Sequence, residues 1–383
     1  MKITRRLLLA SFLLAPLTLS SLGEPAPART YTVLVGTYTD KTGSKGIYTF
    51  EFDAETGKLT PKGIAAETPN PSWLALHPNG KWVYAANEAG KQSTVSAFSI
   101  DAQTAKLTLL NKLPAEGEDP CHLSFDKTGK YLLVANYTSG TVAVFPILPD
   151  GKLGAPTSVV KDAGTLGPDK ERQEGPHAHW IQASPDNRFV LVADLGLDAI
   201  LSYRFNSAKG TLTPNKPLLA KLVSGAGPRH AVFSFDGKFV FVASELNSTV
   251  TTFTYDPRKG SLKDPQVVST LPKDFQGRND VAEIGLHPSG RGLYASNRGH
   301  DSIAIYRIDD LKGTLTSVGI FPTGGKEPRH FTVDPTGWFV LAENQHSNSI
   351  VVFKVDAPQG DLIQVSKTDN IPSPVCLIFL PAL

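Results

Sequence analysis

The sequence predicts an all-β protein, a seven-bladed β-propeller whose ring is closed by N- and C-terminal strands that share a blade. Three observations predict this fold. One strand-rich unit recurs seven times, no stretch keeps a helical period for long, and the chain begins and ends on complementary halves of the unit. Helical solenoids and parallel α/β sheets are excluded by this pattern, and two separate β-sandwiches would not have complementary ends.

The first residues have the pattern of an export signal. A basic start that includes Arg5 and Arg6 is followed by an apolar run from Leu7 to Leu17, which is too short to span a bilayer. The paired arginines leave both the Sec and the twin-arginine routes open, and a retained membrane anchor is the alternative. We expect a periplasmic or secreted protein with a signal peptide, a linker and one propeller domain, over residues 1–23, 24–30 and 31–383.

Composition excludes several classes of partner. The chain has 38 basic and 36 acidic residues, and no basic run follows the signal, so neither nucleic acid nor an anionic membrane surface is an expected partner. Cys121 and Cys376 are the only cysteines, and they occupy nearly equivalent places in non-adjacent repeats, so we expect them not to pair. No Cys/His spacing or glycine-rich loop indicates zinc or a nucleotide, and no cofactor is expected. The oligomeric state is left open.

The first part of each unit is a proline, an alternating apolar strand and a turn of the Pro/Asp-x-Gly-Lys kind. Valine, isoleucine and aromatic residues in alternation favour strands, and Asp-Gly, Asn-Gly and Ser-Gly turns connect them. Five copies begin with proline, one begins with aspartate, and a partial copy ends the chain. They start at Pro71, Pro120, Pro176, Pro228, Asp280, Pro328 and Pro374.

The second part of each unit is a strand, a polar break and another strand, as in VYAANE at Val83 and FVFVASEL at Phe239. The units recur at intervals of about fifty residues, which fits a four-stranded propeller blade. The chain opens with a second part, at Val33, and closes with a first part, from Val375 to Phe379. The C-terminal strand should therefore complete the blade that Val33 begins, which leaves the ring without a free edge.

Ionisable side chains occupy the positions that should meet at the mouth of the channel. The innermost strands of a propeller line a central channel, so residues just after the recurring proline, and those at the end of the following strand, converge from different blades. The third to sixth units place the following residues there: His177, His179, Arg229, His230, Glu245, Arg298, Arg329, His330 and Glu343. The first two units add Glu88, His122 and Tyr137.

These residue types predict acid–base chemistry on an anionic or carbonyl-bearing small molecule. Arginines offer forked donors that bind a carboxylate or phosphate and stabilise an oxyanion. A histidine titrates near neutrality and can move a proton or activate water, and a nearby glutamate can be the second acid–base group or orient the histidine. Three histidines could hold a metal, but each recurs beside arginine, which repels a cation. We therefore expect no metal.

Some of these residues also have a purely structural interpretation. His230 and His330 could bond neighbouring backbone within the channel, and Arg329 and Glu343 could form an inter-blade ion pair.

Other side chains are interpreted as structural only. His77 and His287 precede proline at the turns and are predicted to be exposed loop residues. Five aromatic residues of the outer strands are predicted to form inter-blade core: Phe98, Tyr203, Phe253, Tyr306 and Phe353.

Three runs of the sequence resemble the propeller-type lactonase family, which includes propeller 6-phosphogluconolactonases and carboxymuconate lactonising enzymes. The runs are GPHAHW at Gly175, GAGPRHAVFSFDGKFVFVASELNSTV at Gly225 and LYASNRGHDSIAIYRI at Leu293, and the similarity covers about Tyr31 to Leu383. The resemblance implies a metal-free channel site whose catalytic residues fall on His179, Arg229, Glu245 and Arg298. The doubled His-Ala-His keeps His177 open as an alternative to His179.

The constellation and the resemblance together predict hydrolysis of a sugar-type lactone by acid–base catalysis in the central channel. His179 or Glu245 would activate water, while Arg229 and Arg298 would hold the substrate anion and the developing oxyanion. The residues expected to contact substrate are His177, His230, Arg329, His330 and Glu343.

Other readings of the sequence remain open. An exported member is expected to act on an unphosphorylated sugar or aldonic lactone, or on another small cyclic ester. The alternatives are a carboxymuconate-type lactonising isomerase, which would use the same acid–base pair in reverse, and a non-catalytic binding propeller. The insertion from Asp162 to Gly175 is the candidate lid.

Overall fold

The computed structural model describes residues 30–356 and 360–381. The predicted signal peptide, and all but the last residue of the predicted linker, lie outside these residues. The described chain forms seven four-stranded antiparallel sheets, which are the blades of a propeller. Between its strands, in the described ranges, there are two single-turn 3-10 helices, Gly90–Gln92 and Gln345–Ser347. No helix in the described part of the chain has the length and apolar character needed to cross a membrane.

The strands are numbered in chain order. The first three belong to the blade that the C-terminus completes: β1 (Thr30–Thr37), β2 (Gly46–Asp53) and β3 (Lys58–Glu67). Blade 1 contains β4 (Pro71–Leu76), β5 (Trp82–Asn87), β6 (Thr94–Ile100) and β7 (Leu107–Pro114). Blade 2 contains β8 (Pro120–Phe125), β9 (Tyr131–Asn136), β10 (Thr141–Pro146) and β11 (Ser158–Lys161). Blade 3 contains β12 (Ala178–Ala183), β13 (Phe189–Asp194), β14 (Ala199–Asn206) and β15 (Thr211–Lys221).

The remaining blades repeat this order from the channel outward. Blade 4 contains β16 (Pro228–Phe233), β17 (Phe239–Ser244), β18 (Thr249–Asp256) and β19 (Ser261–Ser269). Blade 5 contains β20 (Asp280–Leu286), β21 (Gly292–Arg298), β22 (Ser302–Ile308) and β23 (Leu315–Pro322). Blade 6 contains β24 (Pro328–Val333), β25 (Phe339–Asn344), β26 (Ser349–Asp356) and β27 (Asp361–Asp369). Blade 7 contains β28 (Pro374–Phe379) followed by β1, β2 and β3.

The two ends of the propeller close the ring as the sequence predicts. Strand β28 pairs antiparallel with β1, with Val33 opposite Phe379 and Val35 opposite Leu377. The seventh blade is thus made from both ends of the described chain, and its backbone groups pair in the same way as those of the other blades. The prediction of a seven-bladed, terminally closed propeller is confirmed.

The core lies between the blades. Successive side chains of a strand point to opposite faces of its blade, so a second strand such as Phe239–Ser244, which is buried along its whole length, packs against both neighbouring blades. The five aromatic side chains predicted for this core, Phe98, Tyr203, Phe253, Tyr306 and Phe353, are all buried. Each contributes on the order of 1.5–3 kcal/mol through its buried apolar surface.

The prediction for His77 and His287 is wrong. His77 is only 8 % exposed and its Nε2 lies 2.8 Å from the carbonyl oxygen of Gly129, while His287 Nε2 lies 2.8 Å from that of Gly337. Each ring reaches the tight turn of the next blade, where the glycine adopts a positive φ. These histidines therefore join neighbouring blades.

A β-bulge near the start of the innermost strand positions the site. In blade 4, Pro228 lies opposite Ser244 and His230 lies opposite Ala243, so Arg229 is an extra residue in the pairing. The same shift occurs in β4, β8, β12, β24 and β28. A bulge turns the extra side chain away from the regular alternation of the strand. The bulge residue is therefore the one available to the mouth of the channel; it follows the recurring proline directly in the other five of these blades, but in blade 3 it is His179, three residues after Pro176.

Candidate active site

A cavity of about 350 Å³ lies at this mouth. Its wall is made by residues that enter from several blades: Glu88, Asp119, Cys121, Tyr137, Thr138, Arg172, His179, Glu245, Arg298 and Arg329. Cys121, His179 and Arg329 are bulge residues of innermost strands. Glu88, Tyr137 and Glu245 each follow the second strand of a blade. These are the two repeat positions from which the sequence predicted that a site would be built.

Glu245 binds three arginines at one side of the cavity. Its Oε2 lies 3.0 Å from Arg229 Nε and 3.0 Å from Arg298 Nη2, and its Oε1 accepts a hydrogen bond from Arg172 Nη2. The glutamate is 3 % exposed. Burial alone would raise its pKa, but Arg298, Arg229 and Arg172 outweigh burial and lower the pKa to about 2. Glu245 is therefore an ionised anchor that fixes three guanidinium groups in place.

A second cluster, from blades 6, 7 and 1, contains Arg329, Tyr38 and Glu88. Arg329 Nη2 donates to Tyr38 Oη at 2.9 Å, and this hydroxyl donates to Glu88 Oε2 at 2.9 Å. The guanidinium also lies over the Tyr38 ring, 5.3 Å from its centre. Burial raises the pKa of Glu88 above its usual value, although Arg329 opposes that shift. The wall of the cavity thus combines three arginines, Arg172, Arg298 and Arg329, with a carboxyl group whose pKa is raised by burial. Arg229 is not among the residues that line the cavity.

His179 is the histidine of the cavity wall. It is 5 % exposed, its Nδ1 lies 3.6 Å from Cys121 Sγ, and its ring lies edge-on to Tyr137 and His230. Burial and then the charge of Arg229 lower the pKa of His179 well below 6.5. The imidazole is therefore neutral at physiological pH, and a neutral imidazole can accept a proton.

His177 lies outside the cavity wall. Its ring stacks on Tyr137 with centres 4.5 Å apart, its Nδ1 lies 3.0 Å from the Tyr137 carbonyl oxygen, and its Nε2 lies 3.2 Å from Glu174 Oε1. Both ring nitrogens thus face groups of the rim. Of the two histidines that the sequence left open as catalytic residues, the geometry places His179 at the cavity.

A buried polar layer lies one residue further along the innermost strands. His330 Nδ1 lies 2.7 Å from Glu343 Oε2 and its Nε2 lies 3.6 Å from Glu283 Oε2, while His230 Nδ1 lies 3.0 Å from the same Glu283 oxygen. The two histidines bond carboxyl groups rather than neighbouring backbone. His230, His330 and Glu343 are not among the residues that line the cavity. Their contact with substrate stays a prediction.

Glu343 is a carboxyl residue at a strand position that holds a small residue in other blades. It lies opposite His330 in the pairing of blade 6. The equivalent positions of the other blades with the same pairing hold small residues: Gly36, Ala86, Ala135, Ala193 and Ala243. Burial, and then the charge of Glu283, raise the pKa of Glu343 well above 4.5. Burying a carboxyl group costs free energy, whereas the glycine and alanines at the equivalent positions bury no ionisable group.

Replacing Glu343 by glutamine is expected to remove a pH-dependent part of the stability. The folded protein keeps a proton on Glu343 at pH values where the unfolded chain, with a pKa of 4.5, has released it. This contribution is complete below the unfolded pKa and is lost as the pH rises through the folded pKa. The unfolding free energy of the parent minus that of Glu343→Gln should therefore fall with pH by up to about 1.4 kcal/mol per unit.

Urea unfolding of both proteins between about pH 5 and pH 8 measures this difference. A difference that is independent of pH would contradict a protonated Glu343. Glu67→Gln, which changes a carboxyl group in an exposed ion pair with Lys45, is the matched control.

Several residues of the site were given no role from the sequence. Arg172 lies in the predicted lid segment, Tyr38 follows β1, and Glu283 lies within β20. Tyr38 shares the blade-equivalent position of Glu88 and Glu245, so alignment of the repeats contains a signal for it. Arg172 belongs to an insertion without an equivalent in other blades, so only its contact with Glu245 identifies it.

Two further sequence predictions concern metal ligands and the cysteines. No group of three or more histidine, cysteine, aspartate or glutamate side chains in the described part of the chain is arranged to hold a metal ion. Cys121 and Cys376 are both free buried thiols, as expected from their places in the repeats.

Comparisons with known proteins agree with the fold and with the resemblance. Residues 32–379 match the family described as lactonase, 7-bladed beta-propeller. The chain is 39 % identical over 350 residues to a 6-phosphogluconolactonase of Bacillus subtilis (strain 168), covering 91 % of this chain and 98 % of the relative. It is 35 % identical over 312 residues to a 6-phosphogluconolactonase of Formosa agariphila, covering 80 % and 87 %. The structure of a periplasmic gluconolactonase of Pseudomonas aeruginosa superimposes with a TM-score of 0.87 at 31 % identity, covering 92 % of this chain and all of that one.

Proposed function

The chain belongs to the lactonase family of seven-bladed β-propellers and is a hydrolase of cyclic esters, and we propose that it opens the lactone of a sugar acid in the cavity around His179. The relatives support this substrate class, since those compared above are named as lactonases of gluconate or its 6-phosphate. One observation of this chain carries the proposal. It is the pair of arginines, Arg172 and Arg298, that Glu245 holds beside the neutral His179 in the wall of a cavity of about 350 Å³.

The arginines supply the electrostatic part of the proposed reaction. A guanidinium has five N–H donors. Arg229 does not line the cavity itself; its Nε pairs with Glu245 and its Nη1 donates to the carbonyl oxygen of Ala282, so it holds Glu245 in place and adds positive charge next to the cavity wall. Donors that are already fixed stabilise the negative charge that develops on the lactone carbonyl oxygen without reorganising. Arg298 and Arg172, on the same carboxylate, are the proposed donors because both line the cavity.

His179 is the proposed general base, because Glu245 is too acidic and too fully paired to remove a proton from water. The neutral imidazole takes a proton from a water molecule as the water oxygen bonds to the carbonyl carbon. The bond between that carbon and the ring oxygen then breaks, and the alkoxide receives a proton. The protonated His179, in the wall of the same cavity, gives it this proton. The product is the open hydroxy acid, and the histidine returns to its neutral form.

Proton release from purified mature protein tests the proposal. Glucono-δ-lactone, its 6-phosphate and several γ-lactones are compared at near-neutral pH, each corrected for spontaneous opening. We expect acceleration with the δ-lactones, and the unphosphorylated one is expected to be preferred if the chain is exported. No acceleration with any lactone, from folded protein, would contradict hydrolysis. In that case incubation with a muconate-type diacid tests the isomerase alternative.

Export to the periplasm is part of the same proposal. It is supported by the basic start and the apolar run of the first residues, and by the similarity to a gluconolactonase that is itself periplasmic. Expression of the full chain, followed by cell fractionation and N-terminal sequencing, tests it. A mature protein in the periplasm that starts near residue 24 is expected, whereas an intact N-terminus in the cytoplasm would contradict export.

A further inference from the structure

A second cavity, of about 420 Å³, adjoins the first. Arg172 lines both of them. The remaining wall of the second cavity is formed by Asp169, Glu171, Leu246, Asn247, Ser248, Leu271, Gly277, Arg278, Asn279 and Asp280. None of these other residues lines the first cavity. The second cavity is thus a separate space that meets the proposed active site at one side chain.

The second cavity is built by the two longest connections between described blades. Residues 162–177 connect β11 to β12, and residues 270–279 connect β19 to β20. The other five connections from an outermost strand to the next innermost strand contain three to six residues. Compared with these five short connections, residues 162–177 and 270–279 are insertions into the repeat of this chain. One insertion lies between blades 2 and 3 and the other between blades 4 and 5, and together with residues 246–248 of blade 4 and Asp280 they form the wall of the cavity.

Arg172 separates the two cavities. One end of its guanidinium bonds Glu245 of the first cavity, and Nη1 lies 3.7 Å from Asp280 Oδ1 in the second. Its side chain is partly exposed, unlike the buried Arg229 and Arg298. A ligand that extends past Arg172 would therefore contact the active-site anchor and the second cavity together.

The chemistry of the second wall fits the hydroxyl groups of a sugar ring. It contains three carboxylates, two guanidiniums, two carboxamides and one serine, with two leucines as its larger apolar side chains. The wall thus offers both acceptors and donors, which suits hydroxyl groups because each of them both donates and accepts. A phosphate is disfavoured, because Asp169, Glu171 and Asp280 outnumber the two arginines. An apolar tail would form no hydrogen bonds with these polar groups.

We propose that the second cavity binds a further sugar ring attached to the lactone, so that the preferred substrates are glycosylated aldonolactones such as disaccharide δ-lactones. This inference rests on the proposed lactone hydrolysis and specifies its substrate. Binding energy from the distal ring would act on the reacting ring, because both belong to one molecule that spans Arg172. We expect kcat/KM for a disaccharide lactone to exceed that for glucono-δ-lactone by about tenfold or more.

The test compares kcat/KM for cellobiono-δ-lactone and maltobiono-δ-lactone with that for glucono-δ-lactone. Two variants, Leu271→Trp and Asn247→Trp, place a large side chain in the second cavity. The matched control is Val267→Trp, because Val267 is 46 % exposed on β19, the outermost strand of blade 4. The preference for a disaccharide lactone is expected to disappear in both filled variants and to persist in the control.

The outcomes separate this inference from the proposed function. Equal kcat/KM for mono- and disaccharide lactones in the parent, or a preference that survives both filled variants, would overturn the second site and leave lactone hydrolysis intact. No catalysed opening of any of these lactones by the folded parent would overturn both.

Discussion

Replacing Glu245 by glutamine is expected to lower kcat/KM for lactone opening by about 10²- to 10³-fold. The carboxylate is the common partner of Arg172, Arg229 and Arg298. A neutral amide cannot balance three guanidiniums, so the arginines would repel one another and lose the arrangement that stabilises the oxyanion. Initial rates of proton release measure the loss. The loss is expected from the disturbed arginines alone, without any proton transfer by Glu245.

Stability measurements separate catalysis from folding in this experiment. Removing one member of a buried ion pair costs about 3–5 kcal/mol, so Glu245→Gln should also unfold at a lower temperature. Glu245→Asp keeps the charge and is the second variant, with a smaller expected loss of rate. Glu67→Gln changes an exposed ion pair and should change neither rate nor stability beyond about 1 kcal/mol. A folded Glu245→Gln variant with the parent's rate would contradict the anchoring role.

Replacing His179 by glutamine is expected to lower kcat by about 10²- to 10⁴-fold, because the side chain would no longer accept a proton from water. The neutral form of a general base is the active form. Since burial and Arg229 lower the pKa of His179 well below 6.5, kcat/KM of the parent should stay constant as the pH falls to 6.5 and decline only in more acidic solution.

A matched substitution controls for the loss of an imidazole. His346→Gln changes an exposed histidine of the short helix Gln345–Ser347 and should keep the parent's rate and pH profile. If kcat/KM of the parent already declines between pH 7.5 and 6.5, about where an ordinary histidine titrates, then a base with a lowered pKa is contradicted.

The fold could be predicted from the sequence because its signal is repeated. The strand alternation and the turns recur in each unit, and a missing half-unit at one end appears at the other, as the pairing of β28 with β1 confirms. The prediction failed locally for His77 and His287. A proline that follows a histidine indicates a turn, but it does not indicate that the turn lies against the next blade.

The site could be predicted only in part. The repeat identifies the positions that reach the channel, and His179, Glu245, Arg298 and Arg329 do line one cavity. One step along a strand moves a side chain to a different layer, so His230 and His330 lie in the buried network although each follows a bulge residue directly. The choice between His179 and Glu245 as base depends on the three ion pairs of Glu245, because they lower its pKa. One of these comes from Arg172, in an insertion that no repeat could place.

The central claim is that one cavity, with His179 as base and the Glu245-bound arginines as donors, opens lactones. Its most direct test is the rate of glucono-δ-lactone opening at near-neutral pH, measured side by side for the parent, His179→Gln, Glu245→Gln and the two surface controls. We predict that the parent and both controls accelerate opening over the spontaneous rate and that the two cavity variants lose most of this acceleration. Folded cavity variants that open the lactone as fast as the parent would contradict the claim.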